Sequence, residues 1–462
     1  MSLSVADLEL LGIRYVRIIW VDLINWTRMR VVPLAAFYKL LQRKRPGVRL
    51  TEASLGLVFL NVAEGFGSTG EYLYVLDPAT IRLCPYAPGH ASVMGWFQKA
   101  VPGPDTSLTV PLCPRGLLQR VVAQAQQSIR PVTFRMGFEI EVIYLNSVIP
   151  MVTPNDYSWS LTKATPAGSK ISEALEETAN ALREMGIELE MYHGEAAPGQ
   201  YELVLAHLPP LEAVDALVAA RETIWQIASD SGSEASQQQL QVPACPLGTH
   251  LTGFAGGSGL HVHISVASQN PSPPVDLPSA PGFTQMEAMV LQGILDHLPA
   301  VCAISLPTEA SYARMTDGIW SGGTYATWGR ENRESAVRLC GEEGGYHLEI
   351  RANDGTACPY TAMAALLSAG VIGVLDRKKL VTKNCELSAH LLTEEERRAL
   401  GITRRLPLTL EEARQNLVND GRLIRELGQE FVKAHLAVNK TLQESLWDED
   451  PAIALTRLVD HY

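Results

Sequence analysis

Short apolar stretches separated by polar turns fill the first part of the chain, a pattern typical of β-strands. Residues 13–33 predict two strands around a turn at Leu23–Trp26, and residues 34–44 predict a short helix. Residues 71–85 add strand-like stretches on either side of a turn at Asp77–Pro78. Strands with one short helix indicate a small mixed domain in this part of the chain.

The pattern then changes, because apolar residues recur at three- and four-residue spacing, as on one face of an α-helix. The segment VPGPDTSLTVPLCPRG, with four prolines and two glycines, predicts a linker between domains at residues 1–110 and 111–462. Helices are predicted at residues 116–128, 171–185, 210–230 and 408–447, and from Pro359 onwards. Polar, irregular loops are predicted at residues 231–250 and 268–282.

Three apolar segments contain pairs of polar residues two positions apart: Glu139 with Glu141, His261 with His263, and Glu349 with Arg351. Residues i and i+2 of a β-strand share one face of the sheet. Such a face cannot pack in an apolar core, because unpaired buried charge is too costly. We therefore predict that these side chains line a polar cavity in which divalent cations neutralise the carboxylates.

Further charged residues extend this candidate site. Pro198 and Gly199 form a turn that brings Glu195 and Glu202 to the same region. Guanidinium groups suit phosphate and carboxylate oxygens, and the candidate arginines are Arg314, Arg333, Arg338 and Arg351. Each motif taken alone also has a plainer explanation, since acidic loops, hydrogen-bonded histidines and solvated arginines are common in proteins.

Composition narrows the classes of function. Of 462 residues, 46% are hydrophobic and 19% are charged, as in an ordinary globular protein, and the net charge of −12 argues against a nucleic-acid partner. The longest apolar run, Thr361–Leu375, is shorter than the roughly 20 residues of a membrane-spanning helix, so no membrane association is predicted. The seven cysteines form no CxxC pair, and MSLSVADLELLG lacks the basic residues of a signal peptide. A cytoplasmic location is expected.

Together, and in this order, the motifs resemble the catalytic domain of the glutamine synthetase superfamily, from about Pro111 to about Glu444. The motifs are E-x-E, E-x6-E, GSG-x-H-x-H-x-S, N-R-x4-R and E-x-R-x2-D-x4-PY. TYATWGRENRE and HLEIRANDGTACPY are most similar to the fungal and plant glutamine-synthetase-like branch. VDLINWTRMR and VLDPATIRLCP carry a weaker likeness to the N-terminal domain of that superfamily.

This resemblance implies an α+β fold, in which a small β-grasp-like domain at residues 1–110 precedes a glutamine-synthetase-type catalytic domain at residues 111–462. The catalytic domain would contain a curved antiparallel sheet with flanking helices. Family members form active sites between the N-terminal domain of one subunit and the catalytic domain of the next. The resemblance therefore implies a homo-oligomer of stacked rings, a dodecamer or a decamer.

The resemblance also implies cofactors, namely ATP and two Mg²⁺ or Mn²⁺ ions per subunit. The implied ligands of the first ion are Glu141, Glu195 and Glu202. Those of the second are Glu139, His261 and Glu349. Oxygen-rich sites with one imidazole suit these cations.

Other positions match the substrate-binding and catalytic residues of the family. The implied nucleotide contacts are His263, Ser265, Arg338 and Arg333. The implied contacts with the acid and amine substrates are Gly257, Arg314, Arg351 and Trp320. The residues expected to act in catalysis are Arg333, which would stabilise the transferring phosphoryl group, Arg351 and Glu349.

The sequence departs from the family pattern where relatives bind ammonia. Ammonia ligases carry a glutamate on a flap about six residues after the arginine of SYxR, and here MTDGIWSGGTY places Trp320 or a neighbour at that position. The aspartate expected from the N-terminal domain is replaced by Thr51 or Glu52 in RLTEASLG. Loss of anionic contacts and gain of a tryptophan favour a larger, less polar amine.

Three hypotheses stay open at this point. The first is an ATP-dependent ligase that joins the γ-carboxylate of glutamate, or of a similar acid, to an amine through an acyl phosphate. The second is an ordinary glutamine synthetase that uses ammonia. The third is a non-catalytic protein that keeps the fold for assembly or signalling.

Overall fold

The computed structural model describes residues 5–102, 107–128, 130–148, 150, 152–157, 159–230, 258–268, 270 and 272–462. The strands are β1 Tyr15–Val21, β2 Thr27–Pro33, β3 Gly47–Thr51, β4 Leu57–Val58, β5 Asn61–Val62, β6 Glu71–Leu76, β7 Arg82–Leu83, β8 His90–Val93, β9 Gly95–Lys99, β10 Val132–Ile143, β11 Leu189–Gly194, β12 Gln200–Leu208, β13 Leu260–Ser268, β14 Trp328–Arg330, β15 Val337–Cys340 and β16 His347–Ile350. The α-helices are α1 Asp7–Leu10, α2 Leu34–Leu41, α3 Pro114–Gln127, α4 Lys170–Glu184, α5 Pro210–Asp230, α6 Gln285–Ser305, α7 Glu309–Ala313, α8 Pro359–Leu375, α9 Glu394–Ala399, α10 Leu410–Asn419, α11 Gly421–Leu427, α12 Gln429–Leu446 and α13 Pro451–His461.

The predicted hairpin organises the N-terminal part. The Asp22 carboxylate accepts hydrogen bonds from the backbone N–H groups of Ile24 (3.1 Å) and Trp26 (2.9 Å), which closes the turn between β1 and β2. Helix α2 follows, and β8 then pairs parallel to β1 in a four-stranded sheet of order β2-β1-β8-β7. The same part of the chain also forms a three-stranded sheet of order β3-β6-β9. This arrangement confirms the small mixed, β-grasp-like unit.

A seven-stranded sheet forms the second part, in the order β11-β12-β10-β13-β16-β15-β14. Its neighbouring strands are antiparallel except for β14 and β15, which are parallel. The twelve-residue β10 is the third strand of this sheet and pairs with β12 on one side and β13 on the other. Helices and mixed sheets together confirm the predicted α+β class.

Two almost fully buried helices, α6 and α8, pack against each other in the core. By length and composition α6 could cross a membrane, but 94% of its apolar window is buried inside the protein, as in the core helix of a globular fold. Helix α6 was not predicted from the sequence. The longest apolar run was instead taken to be Thr361–Leu375, which lies within α8. Pro359 does begin α8, as predicted.

Most predicted helices are present, with shifted or divided boundaries. The predicted helical region at residues 408–447 is three helices, because Asp420 caps the start of α11 and Gly428 takes a positive φ of 96° before α12. The predicted loop at residues 231–250 lies outside the described residues. The boundary at residue 110 stays a prediction, since buried apolar side chains from both parts form one continuous cluster.

Helices α6 and α8 touch through glycine backbone, which generates a first prediction. A Cβ atom on Gly373 would overlap the carbonyl oxygen of Met289, so the helices must separate to accept it. We expect Gly373→Ala to lower the free energy of unfolding by about 1–3 kcal/mol, measured by urea denaturation. Gly421→Ala is the control, because the nearest side-chain atom to its Cβ would be 4.0 Å away. Equal stability of the two variants would contradict this packing.

Candidate active site

Strand register brings distant glutamates and histidines onto one face of the large sheet. Glu139 on β10 lies opposite His261 on β13, and Glu141 lies opposite Glu202 on β12. Glu349 on β16 lies opposite His263 on one side and Arg338 on the other. The sequence alone could pair residues within a strand, but only the register shows which strands are neighbours.

These side chains line a cavity of about 340 Å³. Its walls include all six predicted metal ligands and five further predicted residues: Arg314, Trp320, Arg333, Arg338 and Arg351. A larger cavity of about 590 Å³ lies between the β1–β2 hairpin and α5, but the only side-chain carboxylates that line it are those of Glu222 and Asp460. Because the charged side chains converge on the smaller cavity, it is the candidate active site.

Within the cavity, His261 joins two groups of possible metal ligands. One ligand atom from each of Glu139, His261 and Glu349 lies within 4.8 Å of the others, and so does one from each of Glu141, Glu202 and His261. Nδ1 of His261 is 3.0 Å from Glu139 and 3.5 Å from Glu141. Glu195 lines the same cavity without belonging to either group.

The donor set fits divalent cations of the Mg²⁺ and Mn²⁺ type. Nε2 of His261 and Oε2 of Glu195 are buried and have no hydrogen-bond partner among the described residues. Burial, with the neighbouring charges of Glu141 and Glu202, raises the pKa of Glu195 to about 7. Carboxylates crowded in this way repel one another unless positive charge lies between them. Oxygen donors with one imidazole match the ligand preference of these ions.

Two cavity residues that hold the carboxylates in place were not predicted from the sequence. Gln200 donates a hydrogen bond of 3.0 Å to Glu141, and Nε2 of His193 lies 3.2 Å from Glu202. The hydrogen bond with Glu202 raises the pKa of His193 to about 9. Gln200 precedes Glu202 by two positions on β12, so the same-face rule could have identified it, whereas His193 is placed by its register opposite Glu202.

The arginines compensate the negative charge on the opposite side of the cavity. Arg338 donates to Glu349 at 2.9 Å, and Arg351 donates to the other oxygen of the same carboxylate. Burial alone would raise the pKa of Glu349, but Arg351 and His261 lower it to about 2. Arg333 is exposed and makes no ion pair among the described residues, which leaves its guanidinium group available to an anion.

Two tryptophans stand at the mouth of the cavity. The rings of Trp159 and Trp320 meet edge to face with centroids 5.3 Å apart, and both side chains are more than half exposed. Trp159 and Trp320 have positive φ angles of 43° and 60°. A non-glycine residue with a positive φ angle is strained by about 1–3 kcal/mol, and such residues cluster at functional sites.

Buried polar groups fix the loop that carries Trp320. The Glu334 carboxylate accepts hydrogen bonds from the backbone N–H groups of Gly318 (3.0 Å) and Trp320. Arg351 donates a 2.7 Å hydrogen bond to the carbonyl oxygen of Trp320. Because Arg351 also pairs with Glu349, it links the loop to a predicted metal ligand.

Three residues predicted to contact the nucleotide or the substrates either do not line the cavity or are outside the described residues. Nε2 of His263 lies 2.8 Å from Glu139, behind the cavity lining. Ser265 lies further along β13, opposite Arg135, and does not line the cavity. Gly257 is not among the described residues. The nucleotide roles of His263 and Ser265 stay predictions.

Comparison with known proteins identifies the family. The profile of the glutamine synthetase catalytic domain matches residues 111–449. Protein fluG of Emericella nidulans is 31% identical over 468 aligned positions that cover 98% of this chain and 49% of that protein. The chain thus spans about half the length of this relative. The gamma-glutamylpolyamine synthetase GlnA3 of Streptomyces coelicolor is 29% identical over 71% of this chain and 68% of its own length.

Solved structures agree. A crystal structure of a novel glutamine synthase homolog superposes with a TM-score of 0.79 at 28% identity, covering 97% of this chain and 99% of that one. Apo GmaS superposes with a TM-score of 0.76 over 96% of both chains, and at 21% identity it supports the fold alone. The fold and the site are therefore those of a glutamine synthetase catalytic domain. The chain belongs to the glutamine synthetase family, as its motifs predicted, and the likeness to the fungal branch is confirmed.

The cavity geometry predicts where divalent cations bind. Removing Glu139 or Glu202 takes away a carboxylate from one of the two ligand groups. We expect Glu139→Ala and Glu202→Ala to weaken Mn²⁺ binding at least about tenfold, a loss of roughly 1.4 kcal/mol, measured by paramagnetic resonance titration. Glu190→Ala is the control, since Glu190 lies on β11 but is exposed. Mn²⁺ affinity that is unchanged in both cavity variants would contradict the assignment.

Proposed function

We propose that the protein is an ATP-dependent ligase that joins the γ-carboxylate of glutamate, or of a similar acid, to a primary amine larger than ammonia. The observation that carries this proposal is the Trp159–Trp320 pair, which forms part of the wall of the same cavity that holds the clustered carboxylates. The family supplies the reaction class, ATP and divalent metals, and the tryptophans bear on the choice of amine.

The proposed reaction has two steps. An oxygen of the substrate carboxylate attacks the γ-phosphorus of ATP, so that ADP leaves and an acyl phosphate forms. The amine nitrogen then attacks the acyl carbon, loses a proton and displaces phosphate, which carries away the attacking carboxylate oxygen. Water must be kept from the intermediate, because water would hydrolyse it.

Residues of the cavity have roles suited to these steps. Arg314, which is 5% exposed, and Arg351 would bind the substrate carboxylates, and Arg333 would stabilise charge on the transferring phosphoryl group. Glu141, Glu195 and Glu202 would hold one divalent cation, and Glu139, His261 and Glu349 a second. Bound cations would neutralise the negative charge of the phosphates during transfer.

An apolar wall supports an amine with a carbon side chain. Trp159, Ile319 and Trp320 line the same cavity as the clustered carboxylates. Ammonium is small and strongly hydrated, so its capture requires anionic partners that offset desolvation. A tryptophan face instead offers apolar contact and cation–π attraction to a larger ammonium group. The similarity to a gamma-glutamylpolyamine synthetase is consistent with this choice.

We also propose that the protein assembles as a ring through its N-terminal part. Large apolar side chains are exposed there, including Leu10, Leu11, Met29, Val31 and Leu60. Leu10 and Leu60 are 87% and 94% exposed, and a subunit interface would cover such large apolar side chains. Whether such a ring is a dodecamer or a decamer stays a prediction, as does the cytoplasmic location.

A panel of amines tests the proposed acceptor. With ATP and glutamate, we expect phosphate release to be at least about tenfold more efficient, in kcat/KM, with an alkyl or aryl amine than with ammonia. Trp320→Glu should raise the use of ammonia relative to the best amine, because it adds an anionic partner. Trp159→Ala should weaken use of the larger amine.

Controls make this test specific. Trp447→Ala should leave amine preference unchanged, because Trp447 is an exposed tryptophan that does not line the cavity. Glutamine formation from ammonia at least as efficient as the reaction with any amine would favour an ordinary glutamine synthetase. Absence of phosphate release with every amine and with ammonia would favour a non-catalytic protein.

A further inference from the structure

A second cluster of ligand-type side chains lies beyond Glu349 on the same face of the sheet. Cys340 on β15 lies directly opposite His347 on β16, and His263 on β13 lies opposite Glu349, two residues further along β16. One possible ligand atom from each of His263, Cys340 and His347 lies within 4.8 Å of the other two. The two imidazole rings have centroids 5.1 Å apart.

This cluster differs chemically from the carboxylate cavity. It offers two imidazole nitrogens and one sulfur, whereas the two groups in the cavity offer mainly oxygen. Thiolate and imidazole ligands select borderline and soft cations such as Zn²⁺, whereas Mg²⁺ and Mn²⁺ prefer oxygen. The same sheet face thus presents two ligand sets for different kinds of cation.

A hydrogen bond orients the His263 imidazole. Nε2 of His263 lies 2.8 Å from the Glu139 carboxylate, an arrangement in which Nε2 carries the proton and Nδ1 keeps its lone pair. A carboxylate behind a histidine is a common second partner of metal-binding imidazoles.

The Cys340 thiol is buried and lies close to both histidines. Cys340 is 6% exposed, and its sulfur lies 3.7 Å from Oε2 of Glu349. Both histidines are partly exposed, so an ion could enter from their side. Three protein ligands leave a fourth tetrahedral position for water.

We propose that His263, Cys340 and His347 form a binding site for one thiophilic divalent cation, with Zn²⁺ as the ion that fits best. The site lies next to the carboxylate cavity and shares none of the six ligands assigned to the cations there. The proposal is independent of which acid or amine the enzyme uses, because it concerns cation binding alone.

Cobalt provides a direct probe, because Co²⁺ takes the place of Zn²⁺ and shows near-ultraviolet charge-transfer absorption only when a thiolate binds it. Chelator-treated protein is titrated with Co²⁺ alone. We expect absorption that saturates at one Co²⁺ per chain and disappears when Zn²⁺ is added. Cys340→Ser and His347→Arg should each lose this absorption while keeping the circular dichroism of the wild type.

Two controls separate this site from others. Cys385→Ser should retain the absorption. It removes a different buried thiol, which donates a hydrogen bond to the Leu387 carbonyl oxygen. Glu195→Gln alters the carboxylate cavity and should also retain it. Absence of the absorption in the wild type at saturating Co²⁺, or its persistence in Cys340→Ser, would overturn the proposal, whether or not the enzyme turns over ATP.

Discussion

The burial of several carboxylates on one sheet face is the constraint on which the rest of the structure depends. Glu349 is fully buried, and Glu141 and Glu202 are less than a tenth exposed. Buried charge of one sign is unstable unless it is paired or binds a cation. Arg338 and Arg351 compensate Glu349 within the chain, whereas Glu195 keeps a raised pKa because it is buried among negative charges. Arginines of the protein therefore neutralise the negative charge of Glu349, whereas the charge around Glu195 is left for bound cations to neutralise.

The same constraint connects the buried carboxylates to the tryptophans of the cavity. Arg351 pairs with Glu349 through one nitrogen and binds the carbonyl oxygen of Trp320 through another. Glu334 accepts a hydrogen bond from the N–H group of the same tryptophan. The loop that presents the tryptophan is thus attached to the residues that bind charge, and its strained backbone is maintained by these bonds. A substitution at Glu349 should accordingly alter the position of Trp320.

Much of this site could be predicted because its signal is local. Polar pairs two positions apart on β10 and β13 identify Glu139, Glu141 and His261 from the sequence alone, and prolines and glycines mark the turns. The β1–β2 hairpin follows from the same alternation, and its turn is closed by Asp22 through the local hydrogen bonds that aspartate favours in turns.

Other features could not be predicted from one sequence, because they depend on contacts between distant segments. The Trp159–Trp320 pair joins residues far apart in the chain, and Trp159 carries no motif of its own. The grouping of Cys340 with His263 and His347 depends on the order of three strands. Helix α6 was overlooked because an apolar segment buried on all sides has little periodicity to recognise.

The central claim is that the substrate acid is activated by phosphoryl transfer before the amine attacks. Glutamate labelled with ¹⁸O in its γ-carboxylate, supplied with ATP and the best amine of the panel, tests this claim most directly. We expect each phosphate released to carry one ¹⁸O atom, because the carboxylate oxygen that attacks the γ-phosphorus leaves with it. Amide formation that releases unlabelled phosphate would contradict it.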